Sequence, residues 1–533
     1  MDPLTPIIIG VGEVKNKHLD LAHAHEPAHL IVKALRQAIL DSQLPTSRAD
    51  VLTRSIDSIS TVRPWTWPYP DLPGLLASRI TPGGVKLKYK EYSEHGGNQP
   101  ARLLDEAARR VSKGGVEVAV VAGGEASASL AVCSKAGKLP PAGWTPPDTS
   151  GESIMVPTLS NATRKVQQEK QSKENLGVKH GIGLPIHVYP LYENGYRARR
   201  KQSLKENHDE SARLYGDFAK VASKNEYAWS YGQPAKTSEQ IGAIDKGNRM
   251  ICFPYPLLMN AFNTVDLAAC CIVTSVGFAT ELGVPRSRWI FPLGGAGTSE
   301  SADFWERESF DDSPAIKMSI DGALEASGLK AGDIDVFDFY SCFPIVPKLA
   351  CGHLGLDVLS PEKQITLLGG LTSFGGAGNN YSLHAVAAMV RKLRQGQCKN
   401  GLVLANGGNL TYQHVICLSS QPRADKSAVY LDKNPLPAIV PGLDKSLVDV
   451  TATGEAVIET YTVAFGRDGK PETGHVVGRL KSNGHRFIAN HADERTLLEL
   501  ASTSEEPIGG HGRVYSDEDT GKNFFSLGRG SKM

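Results

Sequence analysis

Val116-Glu117-Val118-Ala119-Val120-Val121-Ala122-Gly123-Gly124 is a near-continuous apolar run that ends in two glycines. It is too short for a buried helix and rich in β-branched residues, so it reads as a strand covered on both faces. Residues 101–113 precede it. There Leu103, Leu104, Ala107, Ala108 and Val111 share one face of a charged amphipathic helix. A helix feeding a doubly buried strand predicts an α/β layer structure with a parallel sheet.

The same grammar extends outward. Ile7-Ile8-Ile9-Gly10-Val11-Gly12 and Ser55–Ser60 read as further strands, and Glu26-Pro27 opens a helix with Ala28, Ile31, Leu35 and Ile39 at helical spacing. Between 133 and 250 the texture changes to Pro/Gly-rich (135–150) and highly charged (164–179) runs, with a helix expected over 210–224. This is an insertion. It carries the one local concentration of positive charge, Arg197, Arg199, Arg200 and Lys201, which reads either as a solvated helix face or as a phosphate contact. The α/β pattern then returns with strands at 265–275, 334–340 and 401–405 and helices at 315–327 and 382–394, which suggests a duplicated core. After Pro435, the alternating runs 456–465 and 473–480 flank the turn Gly466-Arg467-Asp468-Gly469 and predict a small barrel-like β domain. The expected organisation is a first half at 1–132, an insertion at 133–255, a second half at 256–428 and a β domain at 429–533.

Composition excludes several classes. Lys+Arg 58 against Asp+Glu 57 leaves +1 in 533 residues, too little to hold a nucleic acid by counterion release. The β domain shows no array of aromatic and basic residues for reading single strands either. Eight scattered cysteines form no zinc-ribbon spacing or disulfide framework, so no metal site is expected. No apolar run reaches membrane-spanning length. Ser531-Lys532-Met533 resembles the Ser-Lys-Leu peroxisomal address and implies a peroxisomal import receptor as partner, with a cytoplasmic location as the alternative.

Gly294-Gly295-Ala296-Gly297 matches no phosphate-loop spacing and reads as a plain turn. Four other clusters lie where loops meet the expected scaffold: His95-Gly96-Gly97-Asn98, Phe339-Tyr340-Ser341-Cys342-Phe343-Pro344, Gly369 to Tyr381, and Ala405-Asn406-Gly407-Gly408. Glycines at such junctions allow close backbone approach to a ligand.

Order and spacing of these clusters, over roughly residues 5–420, resemble the thiolase superfamily. Asn98, a helix, a strand and Gly123-Gly124-Glu125 are similar to the segment that carries the thiolase nucleophile. Tyr340-Ser341-Cys342-Phe343 resembles the His-Asp-Cys-Phe motif of sterol-carrier-type thiolases. Gly369–Ser382 resembles the run into Gly-His-Pro, and Ala405-Asn406-Gly407-Gly408 resembles Cys-x-Gly-Gly. The resemblance implies a duplicated αβαβα five-layer thiolase fold with a loop domain, here followed by a small β-barrel-like (OB-like) domain. It also implies coenzyme A or acyl-CoA as ligand, with no further cofactor required.

The departures bear on activity. The nucleophilic cysteine maps to Asn98, the oxyanion-binding residue to Tyr340, the basic histidine to Gly376 and the second cysteine to Ala405. None of these can carry an acyl group as a thioester or take an α-proton. A displaced set is conceivable, with Cys342 as nucleophile, His384 or His414 as base and Asn379 beside them. Phe343 and the arginines Arg197, Arg199 and Arg200 are the candidate contacts to coenzyme A. Two functions stand open: an acyltransferase-like enzyme working through non-standard residues, and a catalytically silent acyl-CoA-binding or partner-docking protein.

Overall fold

Two sheets with the same strand order form the centre of the chain. The computed structural model describes residues 1–148, 175–424 and 430–528. The first sheet takes β1 (Pro6–Lys15), β2 (Ile56–Thr61), β3 (Tyr89–Tyr92) and β4 (Val118–Ala126). Beyond an insertion that holds β5 (Met250–Cys252) and β6 (Tyr255–Pro256), it takes β7 (Asp266–Ser275). The second takes β8 (Phe291–Ser299), β9 (Val336–Phe339), β10 (Asn400–Gly407) and β11 (Tyr412–Ser419). Their orders are β1-β7-β4-β2-β3 and β8-β11-β10-β9. A lone parallel bridge from Val336 to Gln364 stands where the second sheet lacks a fifth strand. The expected duplication is therefore present over four strands of each sheet.

The sheets are mixed rather than parallel. β7 runs antiparallel to both its neighbours, as does β11, while β4-β2-β3 and β10-β9 are parallel. An apolar run reports burial on two faces but carries no direction, which is why the expectation of parallel strands failed.

Helices Pro27–Asp41 and Leu72–Ile80 cover the outside of the first sheet. Helices Gln99–Ser112 and Tyr381–Arg394 lie between the sheets and touch both, and Pro314–Ser327 with Ile345–Leu354 cover the far side. This makes five layers. Sandwiching explains why Gln99–Ser112 is buried nearly all round, Asp105 and Arg109 included.

Two expectations change. The boundary at 255/256 falls before β7, which completes the first sheet; by sheet membership the halves divide between Ser275 and Phe291. Gly294–Gly297 is no turn but the middle of buried β8. A Cβ on Gly294 would come within 2.7 Å of the Ala326 backbone, and one on Gly295 within 2.6 Å of the Asp105 carboxyl carbon. The glycines let a helix on one side and a carboxylate on the other approach the strand.

The C-terminal strands β12 (Gly454–Phe465), β13 (Pro471–Leu480), β14 (Arg486–His491), β15 (His511–Ser516) and β16 (Asn523–Leu527) close into a five-stranded barrel in the order β12-β13-β14-β16-β15-β12. Closure removes free edges. Ala456, Ile458, Val476, Phe487, Val514 and Phe525 fill it. β5 from the insertion pairs with β12 through Cys252 and Ala464. The fully buried Arg486 pairs with Glu459 of β12 and reaches out of the barrel to the carbonyl oxygens of Trp305, Arg307 and Glu308, tying the barrel to the second half.

Candidate ligand site where the halves meet

The start of helix Gln99–Ser112 meets the ends of β9 and β10. A Cβ on Gly97 would lie 2.8 Å from the Tyr340 hydroxyl, and one on Gly407 would lie 2.8 Å from Asn98 Oδ1. Asn98, Tyr340 and the Asn406-Gly407 pair thus converge, as the carry-over of positions requires. Asn98 Oδ1 is buried and makes no hydrogen bond to the described residues. Ala405 is fully buried on β10 opposite His414. Gly376 donates its N–H to Phe262 O at 2.7 Å, and the carboxamide of Asn263 fills the place where a side chain on Gly376 would start.

Cys342 is not joined to either histidine. Its Sγ accepts from Asn406 Nδ2 at 3.8 Å, and burial pushes its thiol up to about 12, so the thiolate is negligible at neutral pH. His384 Nδ1 is 2.6 Å from Glu13 Oε1, and Glu13 also pairs with Arg391. His414 Nε2 is 2.8 Å from Asp105 Oδ2, where Arg109 and the Tyr430 hydroxyl converge as well. Both histidines hold charged clusters between layers rather than a nucleophile.

Asn379 is saturated. Its Oδ1 accepts from Trp65 Nε1 and from Gly96 N, each at 3.0 Å, while Nδ2 donates to Arg63 O at 2.8 Å and to His95 Nδ1 at 3.0 Å. It clips the 378–380 turn to the loop before Asn98. Glu125 does a similar job. It accepts from the backbone N–H of Trp65 and Thr66, and burial pushes its carboxyl up to about 7.

The basic cluster divides among three carboxylates. Arg197 is fully buried and pairs with Glu506 of the barrel region, Arg199 stands 3.7 Å from Asp311, and Arg200 grips Glu210 with both nitrogens. In place of either a solvated face or a phosphate contact, Arg197 and Arg199 make ion pairs out of the insertion and Arg200 makes one within it. Phe343 stacks between Tyr189 and Tyr255, with ring centroids at 4.7 and 5.3 Å.

A feature missed in the sequence lies alongside. A cavity of about 530 Å³ opens in the insertion, with Tyr215, Ala219, Ile241 and Leu258 on its inner wall and Lys236 and Thr237 at its rim. Thr372 and Ser373 of the glycine-rich run form one side. The Tyr215 hydroxyl donates to Ser341 O at 3.1 Å, which places the cavity against the strand end of the site. Pro234–Thr237 has no periodicity to single it out. The targeting tripeptide Ser531, Lys532 and Met533 lies outside the described residues.

Residues 435–519 match the family described as thiolase-like protein type 1 additional C-terminal domain. The whole chain superposes on a monomeric SCP2-thiolase like protein type 1 from Mycobacterium smegmatis with 29% identity and a TM-score of 0.77, covering 99% of this chain and 100% of that one. The chain has the thiolase fold and ends in that family's additional domain. Its fold is shared, at lower identity, with the dimeric peroxisomal thiolase of Saccharomyces cerevisiae (16%, TM-score 0.54, 79% of this chain and 98% of that one). It is shared also with human mitochondrial 3-ketoacyl-CoA thiolase solved in complex with CoA (15%, TM-score 0.52, 79% and 99%). No curated protein matches the sequence. Among the described residues, the chain has no cluster placed to hold a metal ion and no helix long and apolar enough to cross a membrane.

Proposed function

We propose that this protein binds coenzyme A or an acyl-CoA thioester in the cavity against Tyr215 and does not carry out thiolysis or Claisen condensation. The cavity carries the reading. Its apolar inner wall suits a pantetheine arm, its rim offers the Lys236 ammonium to a phosphate, and its volume is in the range of small-molecule sites. The CoA complex of the human thiolase of like fold supports the ligand class. Against turnover stand an amide at Asn98, the Asn263 carboxamide in place of a base at Gly376, and a protonated thiol at Cys342 with no base within hydrogen-bonding reach among the described residues. Acyl transfer through the displaced set is therefore disfavoured. The Ser531-Lys532-Met533 end supports a peroxisomal place for this binding, through the import receptor.

Thermal unfolding with CoA and acetyl-CoA tests the reading. A ligand at about 100 times its dissociation constant adds about 2.7 kcal/mol to the native state, so a rise in Tm is expected. Ser373→Trp, which fills the cavity from its side, and Lys236→Glu, which reverses the rim charge, are expected to diminish it. No shift with either ligand, or a rapid cleavage of acetoacetyl-CoA, would refute the reading.

A further inference from the structure

A second cavity, of about 560 Å³, lies between the barrel and the loop that leads into helix Pro185–Arg199. Four histidines line it: His180 and His187 from the insertion, His475 from β13 and His491 from β14. Lys522, Asn490 and Thr473 complete its polar lining, and no carboxylate takes part. None of the sequence clusters led here, because the histidines come from stretches some 300 residues apart.

The hydrogen bonds fix the proton positions. Asn490 Nδ2 donates to His180 O at 3.1 Å, and a backbone carbonyl only accepts, so this atom is the amide nitrogen. The same nitrogen lies 3.2 Å from His475 Nδ1, which must then be the acceptor, and the ring proton sits on Nε2. The Gly474 N–H donates to His491 Nδ1 at 3.0 Å and puts that ring's proton on Nε2 too. His180 is used up at both nitrogens, by Leu176 O and by the Asn523 N–H. His475 is 3% exposed. Neither His475 Nε2 nor His491 Nε2 donates to a protein acceptor among the described residues, and His187 Nδ1 is buried without a partner. Among the described residues no three such groups are placed to ligate a metal ion.

We infer that this cavity is a binding site for a phosphoryl oxyanion, held by the Nε2–H donors of His475 and His491 and by the Lys522 ammonium. The chemistry is that of an oxygen-rich anion: the lining offers donors and a cation and has no carboxylate to repel it. Lys179, beside Gly521, adds positive charge behind Lys522. Burial holds the four imidazoles towards their neutral form, and His475 feels the repulsion of the other three besides. An anion offsets that repulsion, so binding draws in a proton from solvent onto His187, whose buried Nδ1 has no hydrogen-bond partner. Asp493, next to His491, is turned away to cap helix Glu494–Leu500 through the Thr496 N–H and accepts from the Ser526 hydroxyl.

Calorimetric titration of the full-length protein with inorganic phosphate, in two buffers of different ionisation enthalpy, tests this. Saturable binding with net proton uptake is expected, tightening by up to about tenfold per unit as pH is lowered from about 8 to about 6. Lys522→Gln, at a half-buried position, is expected to weaken it roughly tenfold, and His187→Asn to remove most of the proton uptake. Ser373→Trp, in the other cavity, should leave phosphate binding unchanged, which separates this inference from the proposed acyl-CoA site. If Lys522→Gln weakens coenzyme A in parallel, the phosphoryl group is one of coenzyme A's own; if it weakens inorganic phosphate alone, the ligand is a separate phosphate compound. Absence of saturable binding, or binding that Lys522→Gln leaves unaltered, overturns the site.

Discussion

The carboxamide oxygen of Asn263 stands where the Cβ of any larger residue at position 376 would have to be placed. The space beside Gly376, where the resemblance to thiolases would put a histidine, is therefore not empty. It is taken by a residue arriving from the end of the insertion, and the backbone bond from Gly376 N to Phe262 O fastens the two segments together.

Restoring a base at this position should accordingly fail. Gly376→His is expected to destabilise the protein by about 1–3 kcal/mol through overpacking. Asn263→Ala combined with Gly376→His should recover part of that loss in denaturant melts. Neither variant should cleave acetoacetyl-CoA, since Asn98 still supplies no nucleophile.

Cys342 should resist alkylation. With its thiol pushed up to about 12, iodoacetamide at about pH 8 should label it far more slowly than the half-buried Cys398, as peptide mass mapping would show. The same burial makes the fold alkali-sensitive. Cys252, Cys342, Cys351 and Cys417 keep their protons in the folded chain up to about 12, whereas unfolded thiols ionise from about 8.5. Their contribution is thus whole below about 8.5 and declines as pH rises towards 12, by up to about 1.4 kcal/mol per unit for each thiol.

Acid acts on the barrel through His475. Burial and the neighbouring imidazoles push it down to about 3, so between about 6.5 and 3 the unfolded chain holds a proton that the folded chain refuses. Stability is full above about 6.5 and falls with pH below it, by up to about 1.4 kcal/mol per unit. Urea melts at about pH 7.5 and 5 should show a smaller loss in His475→Gln than in the parent protein.

Arg486→Met should cost about 3 kcal/mol, because the buried carbonyl oxygens of Trp305, Arg307 and Glu308 lose their donor and Glu459 keeps only Arg479. Chemical denaturation read by Trp305 fluorescence and far-ultraviolet circular dichroism reports it; a loss under about 1 kcal/mol would mean that the barrel is held by other contacts.

A fluorescent fusion ending in Ser531-Lys532-Met533 should enter peroxisomes, and removal of the three residues should leave it in the cytosol while the melting curve stays the same.

Strands such as Ile7–Gly12 and Val116–Gly124 were legible because a doubly buried strand must be apolar along its whole length. β8 was not: its Gly294 and Gly297 answer to Ala326 and His414, distant residues whose approach no local pattern announces. The convergence of Asn98 with Tyr340 was legible from motif order. The separation of Cys342 from His384 and His414 was not, since Glu13 and Asp105 claim the two rings from other layers. The arginine cluster misled for a related reason: a charge run looks alike whether its partners are solvent, a phosphate or carboxylates such as Glu506 and Glu210. Histidines at 180, 187, 475 and 491 gave no signal until the barrel closed.

The two halves also differ in how far apart their antiparallel partners lie along the chain. β10 reaches β11 across the few residues from Gly407 to Tyr412, while β4 must wait for β7, from Ala126 to Asp266. Loop-closure scaling makes the longer connection costlier by about 3 kcal/mol. The second half can therefore form its sheet centre from neighbouring chain, whereas the first cannot finish until the whole insertion has been synthesised. During that interval β4 has an open edge, and a ribosome pausing within the insertion would expose it to other nascent chains.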